Sequence, residues 1–361
     1  MVTSSDLLCG FEKLSVKLQR SVKFDHLFAL TDHNAVFQHA KFSVPARSEG
    51  YTVDDNARAL VFAVKAGHFA SAPNIYELQS KLISFLMLMQ NEDGRFHNCM
   101  DYSQRIIDEP IVGDHVGRVI WATGAAINSN MPSGMKASAR LVFDRTLPWA
   151  RVSTSPRTKA YSCLGLHERL QAEPEDRNLR ANLKLMADSL VASYDTARTS
   201  DWLWFENILT YDKPRLSQAL FAAYESLGEK TYLAVAEMTL QFLKKTETID
   251  GVFVPIGNRG WYVRGGARAL YDQQPVEPGA MIEAAVIAYK LNRSNLYEEL
   301  LRKALGWFFG LNTKSVKLYD DKTGACYDGI TPEGLNENQG AESTLAFLLA
   351  AEAFVNSFAQ D

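Results

Sequence analysis

No apolar run in this chain approaches the roughly 18 residues that a membrane span needs, so no spanning helix is expected. Cysteine is scarce: Cys9, Cys99, Cys163 and Cys326 lie far apart, with no Cys-X-X-Cys pair. That spacing reads as buried free thiols in a reducing compartment. No His and Cys group has zinc-ligand spacing, and no glycine-rich loop has the pattern that cradles phosphate. Neither a metal nor a cofactor is therefore expected. A basic cluster is also missing, and the net charge is −4, which argues against a nucleic-acid groove. Met1 to Arg20 has an amphipathic pattern without an uninterrupted apolar centre, so it does not read as a signal peptide. The cytoplasm is the expected compartment, or the periplasm if a leader precedes this sequence. No Pro- or Ser-rich linker divides the chain. Glu173-Pro174-Glu175-Asp176 is short enough to be a hairpin tip, so residues 1–361 read as a single domain.

What is present is helical. Residues 5–20 place Leu7, Leu8, Phe11, Leu14 and Leu18 at helical spacing. Residues 24–52 are irregular and are expected to run over one end of the molecule. Helices then come in pairs. The first of each pair follows a loop rich in Asp, Asn, Gly and aromatics, with starts near Val53, Asp114, Ser155, Lys213, Val276 and Gly340. Most of these starts are about 60 residues apart, the length of a helical hairpin with its loops. The second helices start near Pro73, Ser133, Asn178, Glu229 and Asn295, with capping residues or an early Pro.

Charge separates the two sets. Val119 to Ile127, Ala284 to Tyr289 and Ser343 to Ala351 carry none, and a helix apolar on every side must be buried on every side. The second helices are striped instead: Leu296, Leu300, Leu301 and Leu305 oppose Glu298, Glu299, Arg302 and Lys303. An inner ring wrapped by an outer ring favours a closed all-α (α/α)6 toroid over an open solenoid. The sixth hairpin then requires the N-terminal helix to pair with the C-terminal one.

In that toroid the loops before the first helices open on one end, and helix N-termini bring partial positive charge there. One loop holds Asp54, Asp55 and Arg58. Asp54 and Arg58 are at i,i+4, and Asp114 and Arg118 repeat the spacing, which reads as a shared intrahelical brace and removes Asp54 and Asp114 as catalysts. Asp55 sits one residue round and is expected to face the funnel. His97, in Asp93-Gly94-Arg95-Phe96-His97-Asn98, is either a loop hydrogen-bonding group or a proton carrier. Glu206 lies among Trp202, Leu203, Trp204 and Phe205, where desolvation would make it a general acid, unless it points into water. The stretch from Gly257 to Gly279 supplies Trp261, Tyr262, Asp272, Gln273, Gln274 and Glu277. Asp272 precedes two amides and is hard to explain as a cap, so it is the expected base. Tyr319-Asp320-Asp321 reads as a turn without chemistry, while Asn338 and Glu342 open the most apolar helix. Carboxylates, amides and aromatic rings gathered in one bowl are the components of a sugar site. Trp204, Tyr211, Trp261 and Tyr262 are the expected stacking surfaces. Gln273, Gln274 and Asn338 are expected hydrogen-bond partners, and Asp55 and Glu342 are expected to bind hydroxyls or replace a catalytic carboxylate. Phosphorolysis would need a phosphate pocket, for which Arg259, Arg264 and Arg268 are available.

The chain resembles the six-hairpin glycosidase superfamily, and more closely a helical domain found alone or behind glycosyltransferase domains in bacteria and archaea. The resemblance rests on Phe37-Gln38-His39-Ala40, Gly50-Tyr51 through Leu60, Gly94 to Asn98, Asp114 through Trp121 and Trp204-Phe205-Glu206. It continues through Tyr211, Ile256-Gly257-Asn258, Trp261-Tyr262, Asp272-Gln273-Gln274-Pro275, Asp328-Gly329 and Asn338 to Thr344. Together these run from about residue 30 to 350. One departure is Gly113, where that domain has an acidic residue, which lowers any catalytic role at Asp114. The resemblance implies a carbohydrate-active enzyme, foremost a glycoside hydrolase on an oligosaccharide, mannose-containing ones included. Epimerases and phosphorylases share the superfamily, and a non-catalytic sugar-binding partner of a glycosyltransferase is a further alternative. Epimerases of this ring use histidines in the bowl, and few are available here.

Overall fold

Thirteen α-helices carry the fold in this computed structural model, which describes residues 2, 6–69 and 74–359. They are α1 (Phe11–Ser21), α2 (Asp25–Ala29), α3 (Val53–Lys65), α4 (Ile75–Met89), α5 (Asp114–Asn128), α6 (Ser133–Val152) and α7 (Pro156–Ala172). The remainder are α8 (Arg177–Ala197), α9 (Pro214–Leu227), α10 (Lys230–Thr246), α11 (Val276–Asn292), α12 (Asn295–Phe308) and α13 (Ala341–Phe358). The starts of α3 to α13 fall within two residues of the expected ones, whereas α1 begins only at Phe11, after a separate short turn at Asp6–Leu8, and α2 forms in a stretch expected to be irregular. Pro73 and residue 5 lie outside the described residues.

Local chemistry explains these boundaries. Thr52, Ser155, Asp176 and Ser294 each accept a hydrogen bond from a first-turn N–H, and each such cap is worth about 1 kcal/mol. Pro156 and Pro214 occupy first-turn positions, where a missing N–H costs nothing.

Six helices, α3, α5, α7, α9, α11 and α13, touch in that cyclic order, and α13 returns to α3. The ring is closed. Helices α4, α6, α8, α10 and α12 each back onto the helix before them, and α1 backs onto α13. The terminal helices therefore complete the sixth hairpin, through Phe11 packed edge-on and tilted against Phe354 and Phe358. This is the (α/α)6 toroid. The inner helices are buried almost throughout, and in α11 every residue from Val276 to Val286 is buried. Of the four cysteines, Cys163 and Cys326 are buried as expected, whereas Cys99 is half-buried and Cys9 is exposed.

Close approach inside the ring is set by glycine. A Cβ on Gly124 of α5 would stand 2.2 Å from the Gly165 carbonyl oxygen of α7, and one on Gly165 would stand 2.1 Å from the Ile120 carbonyl oxygen. Backbone meets backbone there, with no flexible side chain to yield. We expect Gly165→Ala to destabilise the protein by about 3 kcal/mol in a denaturant melt. Gly134→Ala, in α6 with nothing near its Cβ, is expected to be neutral or to stabilise by up to about 0.5 kcal/mol.

Candidate active site

The inner helices all run the same way, so the loops that precede them meet at one rim. Short strand pairings stitch those loops together. Tyr51–Thr52 pairs with Cys99–Met100, joining the approaches to α3 and α5. Ile208–Leu209 pairs with Tyr262–Val263, joining the approaches to α9 and α11. Gln273 bridges Ile330, joining the approaches to α11 and α13.

Below the rim runs a belt of charged contacts. Glu342 of α13 accepts a hydrogen bond from Arg58 of α3 at 2.7 Å, and Arg58 also reaches Asp55 at 3.0 Å. Asp54 of α3 meets Arg118 of α5 at 2.5 Å, and Arg118 lies over the Tyr161 ring of α7. Asp114 of α5 accepts from Ser155 and Thr158 of the α7 N-terminus and from the Tyr211 hydroxyl. Tyr161 donates to Asp212, which also pairs with Arg215 of α9, and Arg215 meets Glu283 of α11 at 2.6 Å. The intrahelical i,i+4 braces expected for Asp54 with Arg58 and Asp114 with Arg118 do not form. The inner helices pack so closely that these arginines reach across to a neighbouring helix or loop instead. Glu277 is buried too, accepting from the Asp212 N–H at 2.6 Å and from Lys213 at 2.5 Å.

Between the loops before α3, α11 and α13 lies a cavity of about 190 Å³. Asp272, Gln274, Asp328, Glu342, Asn258 and His39 line it. Asp272 holds a left-handed backbone, φ 59°, and exposed Arg259 stands 3.5 Å from its carboxylate. Asp328 is the residue the sequence reading passed over, because Asp-Gly reads first as a turn. The following Gly329 has its own reason: at φ 151° it leaves no room for a Cβ, which would stand 2.1 Å from the Gln273 carbonyl oxygen. That close approach delivers Asp328 to the cavity. Burial pushes the Asp328 carboxyl up, against hydrogen bonds from Ser343 and the Gly340 N–H, and the charge of Glu342 pushes the same way.

The other expected site residues are distributed more widely. Glu206 does not line this cavity. It is held by Arg157 at 3.1 Å and belongs to the approach to α9, with Tyr211 as neighbour. Trp204 is fully buried against Phe205 and Phe242, so it offers no face for stacking. Tyr262 packs edge-on against Trp202 and lines a groove between outer helices. Trp261 is half-buried at the rim with a left-handed backbone, φ 54°. Gln273 is consumed internally, donating to Leu270 and Thr313 and accepting from the Trp307 indole N–H. Asn338 accepts from the Phe42 N–H at 2.9 Å and so anchors the approach to α13. His97 contacts the Asp108 carbonyl at 2.6 Å, away from the cavity. Arg259, Arg264 and Arg268 do not converge. Arg264 and Arg268 donate to backbone carbonyls of Ala197, Thr246 and Val254. No group of three metal-ligating side chains is placed to hold an ion among the described residues.

No family model matches this chain, and no curated protein matches it. Solved structures do. A D-mannose isomerase superposes with a TM-score of 0.71 at 15% identity, over 96% of this chain and 97% of that one. A sugar epimerase from a ruminal bacterium gives 0.72 at 12% identity, over 95% and 99%. An α-mannanase from Bacteroides thetaiotaomicron gives 0.63 at 11%, over 96% and 94%. This chain has the six-hairpin glycosidase fold. Among the described residues no helix is long and apolar enough to cross a membrane.

Asp55 offers a test of the belt. Burial, with the charges of Glu342 and Asp54, outweighs Arg58 and pushes its carboxyl from 3.8 up to about 6. A carboxyl raised on folding adds stability that is complete below pH 3.8 and lost as pH rises through 6. We expect Asp55→Asn to flatten the fall in folding stability between pH 4 and 6, measured by denaturant melts across that range.

Proposed function

We propose that this protein is a glycoside hydrolase that acts on an oligosaccharide, mannose-containing ones included, at the cavity between Asp272, Asp328 and Glu342. The carrying observation is that these three carboxylates, two from different loops and one from the first turn of α13, line one pocket together with an amide, Gln274. Glycoside cleavage needs one carboxyl group that keeps its proton and one that has lost it. Asp328, pushed up by burial, suits the acid that protonates the departing glycosidic oxygen. Asp272, at the cavity's edge beside Arg259, suits the base that takes a proton from the attacking water. Glu206, named as acid from sequence, is assigned to positioning: its pairing with Arg157 sets the loop before α9. Asp55 acts through Arg58 on Glu342, which would bind a sugar hydroxyl. The cavity volume of about 190 Å³ lies below the usual range for ligand pockets, so it suits one sugar unit at a chain end. Longer chains would continue over the rim toward Trp261. A glycosyltransferase that extends the same glycan is the corresponding pathway partner.

Epimerisation is the weaker reading, because His39 is the only histidine at the cavity among the described residues. We expect a chromatographic screen of manno- and gluco-oligosaccharides to show shortened products independent of added phosphate. Asp328→Asn and Asp272→Asn should each lower turnover about 100-fold or more with unchanged melting temperature. Full turnover in both variants would end the assignment. Products that need phosphate, or that differ only in configuration, would replace hydrolysis by phosphorolysis or epimerisation.

A further inference from the structure

The other end of the toroid also opens. A cavity of about 1110 Å³ is formed there by the last turns of all six inner helices, far along each helix from the loops just described. Its charges are mostly matched. Lys65 pairs with Glu168 at 2.5 Å, and Glu283 pairs with Arg215 at 2.6 Å. Among the carboxylates of the lining, Glu352 of α13 is the exception. It lines the cavity at 3% exposure, and its Oε1 is buried without any hydrogen-bond partner. Lys290, also in the lining, makes no ion pair with it among the described residues.

We propose that this cavity is a second binding site, for a small organic cation carrying a primary ammonium, with Glu352 as its anchor. Two independent features converge. The carboxylate oxygen lacks a donor, and a buried polar atom without one is rare in folded proteins. Six helix C-termini meet at the same place, each with partial negative charge and free carbonyls, which favours a cation. The donors of an ammonium, three N–H bonds, match one carboxylate oxygen and neighbouring carbonyls. Leu164, Val286 and Leu349 in the wall supply contact for a short alkyl stem. A metal ion is the poorer occupant, because no three ligating side chains are placed for one among the described residues.

Protonation supports the idea. Burial and the charges of Glu283 and Glu168 push the Glu352 carboxyl up to about 7, while Lys65 and Lys290 pull against them. At neutral pH part of the population carries a proton there, and an arriving ammonium would displace it.

The test is calorimetric titration of the full chain at pH 7 with 1,4-diaminobutane, and with 1,4-butanediol as the uncharged molecule of equal length. The diamine should bind and the diol should not. Comparison of buffers with different ionisation heats should show net proton release on binding. Glu352→Gln should weaken diamine binding by roughly ten- to a hundredfold, the usual worth of a charged hydrogen bond. Asp272→Asn, at the opposite end, should leave it unchanged. Absence of diamine binding, equal binding of the diol, binding without proton release, or equal affinity in Glu352→Gln would each overturn the proposal. The proton-release arm uses the unaltered protein, so it decides the matter even if Glu352→Gln folds poorly.

Discussion

The register of the ring depends on polar contacts made across helix joints. Five of the six joints carry such a pin: Glu342 to Arg58, Asp54 to Arg118, Asp114 to Ser155, Tyr161 to Asp212 with Arg215, and Arg215 to Glu283 with Lys213 to Glu277. The sixth, between α11 and α13, is a backbone approach, where a Cβ on Gly279 would stand 2.8 Å from the Ala346 carbonyl oxygen. Buried ion pairs add little net stability, since desolvation offsets their attraction. Their effect here is registry. Apolar inner helices can slide along one another at small cost, whereas a buried charge that loses its partner is penalised heavily. The belt therefore fixes the height of each helix, and with it the level at which each loop meets the rim.

That registry links the fold to the candidate chemistry. Glu342 is at once a member of the belt and a wall of the cavity, and Asp328 takes part of its upward shift from it. The site is thus wired to the scaffold through Arg58. Asp272 comes from a different loop, held by the Gln273–Ile330 bridge and by the Trp307 indole on Gln273. A residue first read as a sugar contact holds the two loops of the candidate site against each other.

Much of the fold was legible in the chain. Uncharged stretches such as Val119 to Ile127 can exist only inside, and striped ones such as Leu296 to Lys303 only at a boundary, so two layers and a closed ring followed. Side-chain partners were not legible. The Asp-Arg spacing at Asp54 and Asp114 matches an intrahelical pair, and nothing in one sequence reveals that a neighbouring helix lies closer. The stacking role expected for Trp204, beside Glu206, failed for a related reason. An aromatic cluster around a carboxylate describes a buried anchor as well as a binding platform, and only the burial of Trp204 and the approach of Arg157 separate them. Asp328 was hidden by its neighbour, because Gly329 marks a turn whether or not the preceding acid has work to do.

The pairing of α1 with α13 has a bearing on how the molecule is made. The last stave of the inner ring, Ala341–Phe358, is also the last of the six in chain order, and both α3 and α11 rest against it. Until it docks, the partial ring has an open seam with apolar flanks on either side. Closure must then wait for the sixth inner helix, so this architecture ties acquisition of the native state to the whole ring rather than to stepwise assembly hairpin by hairpin.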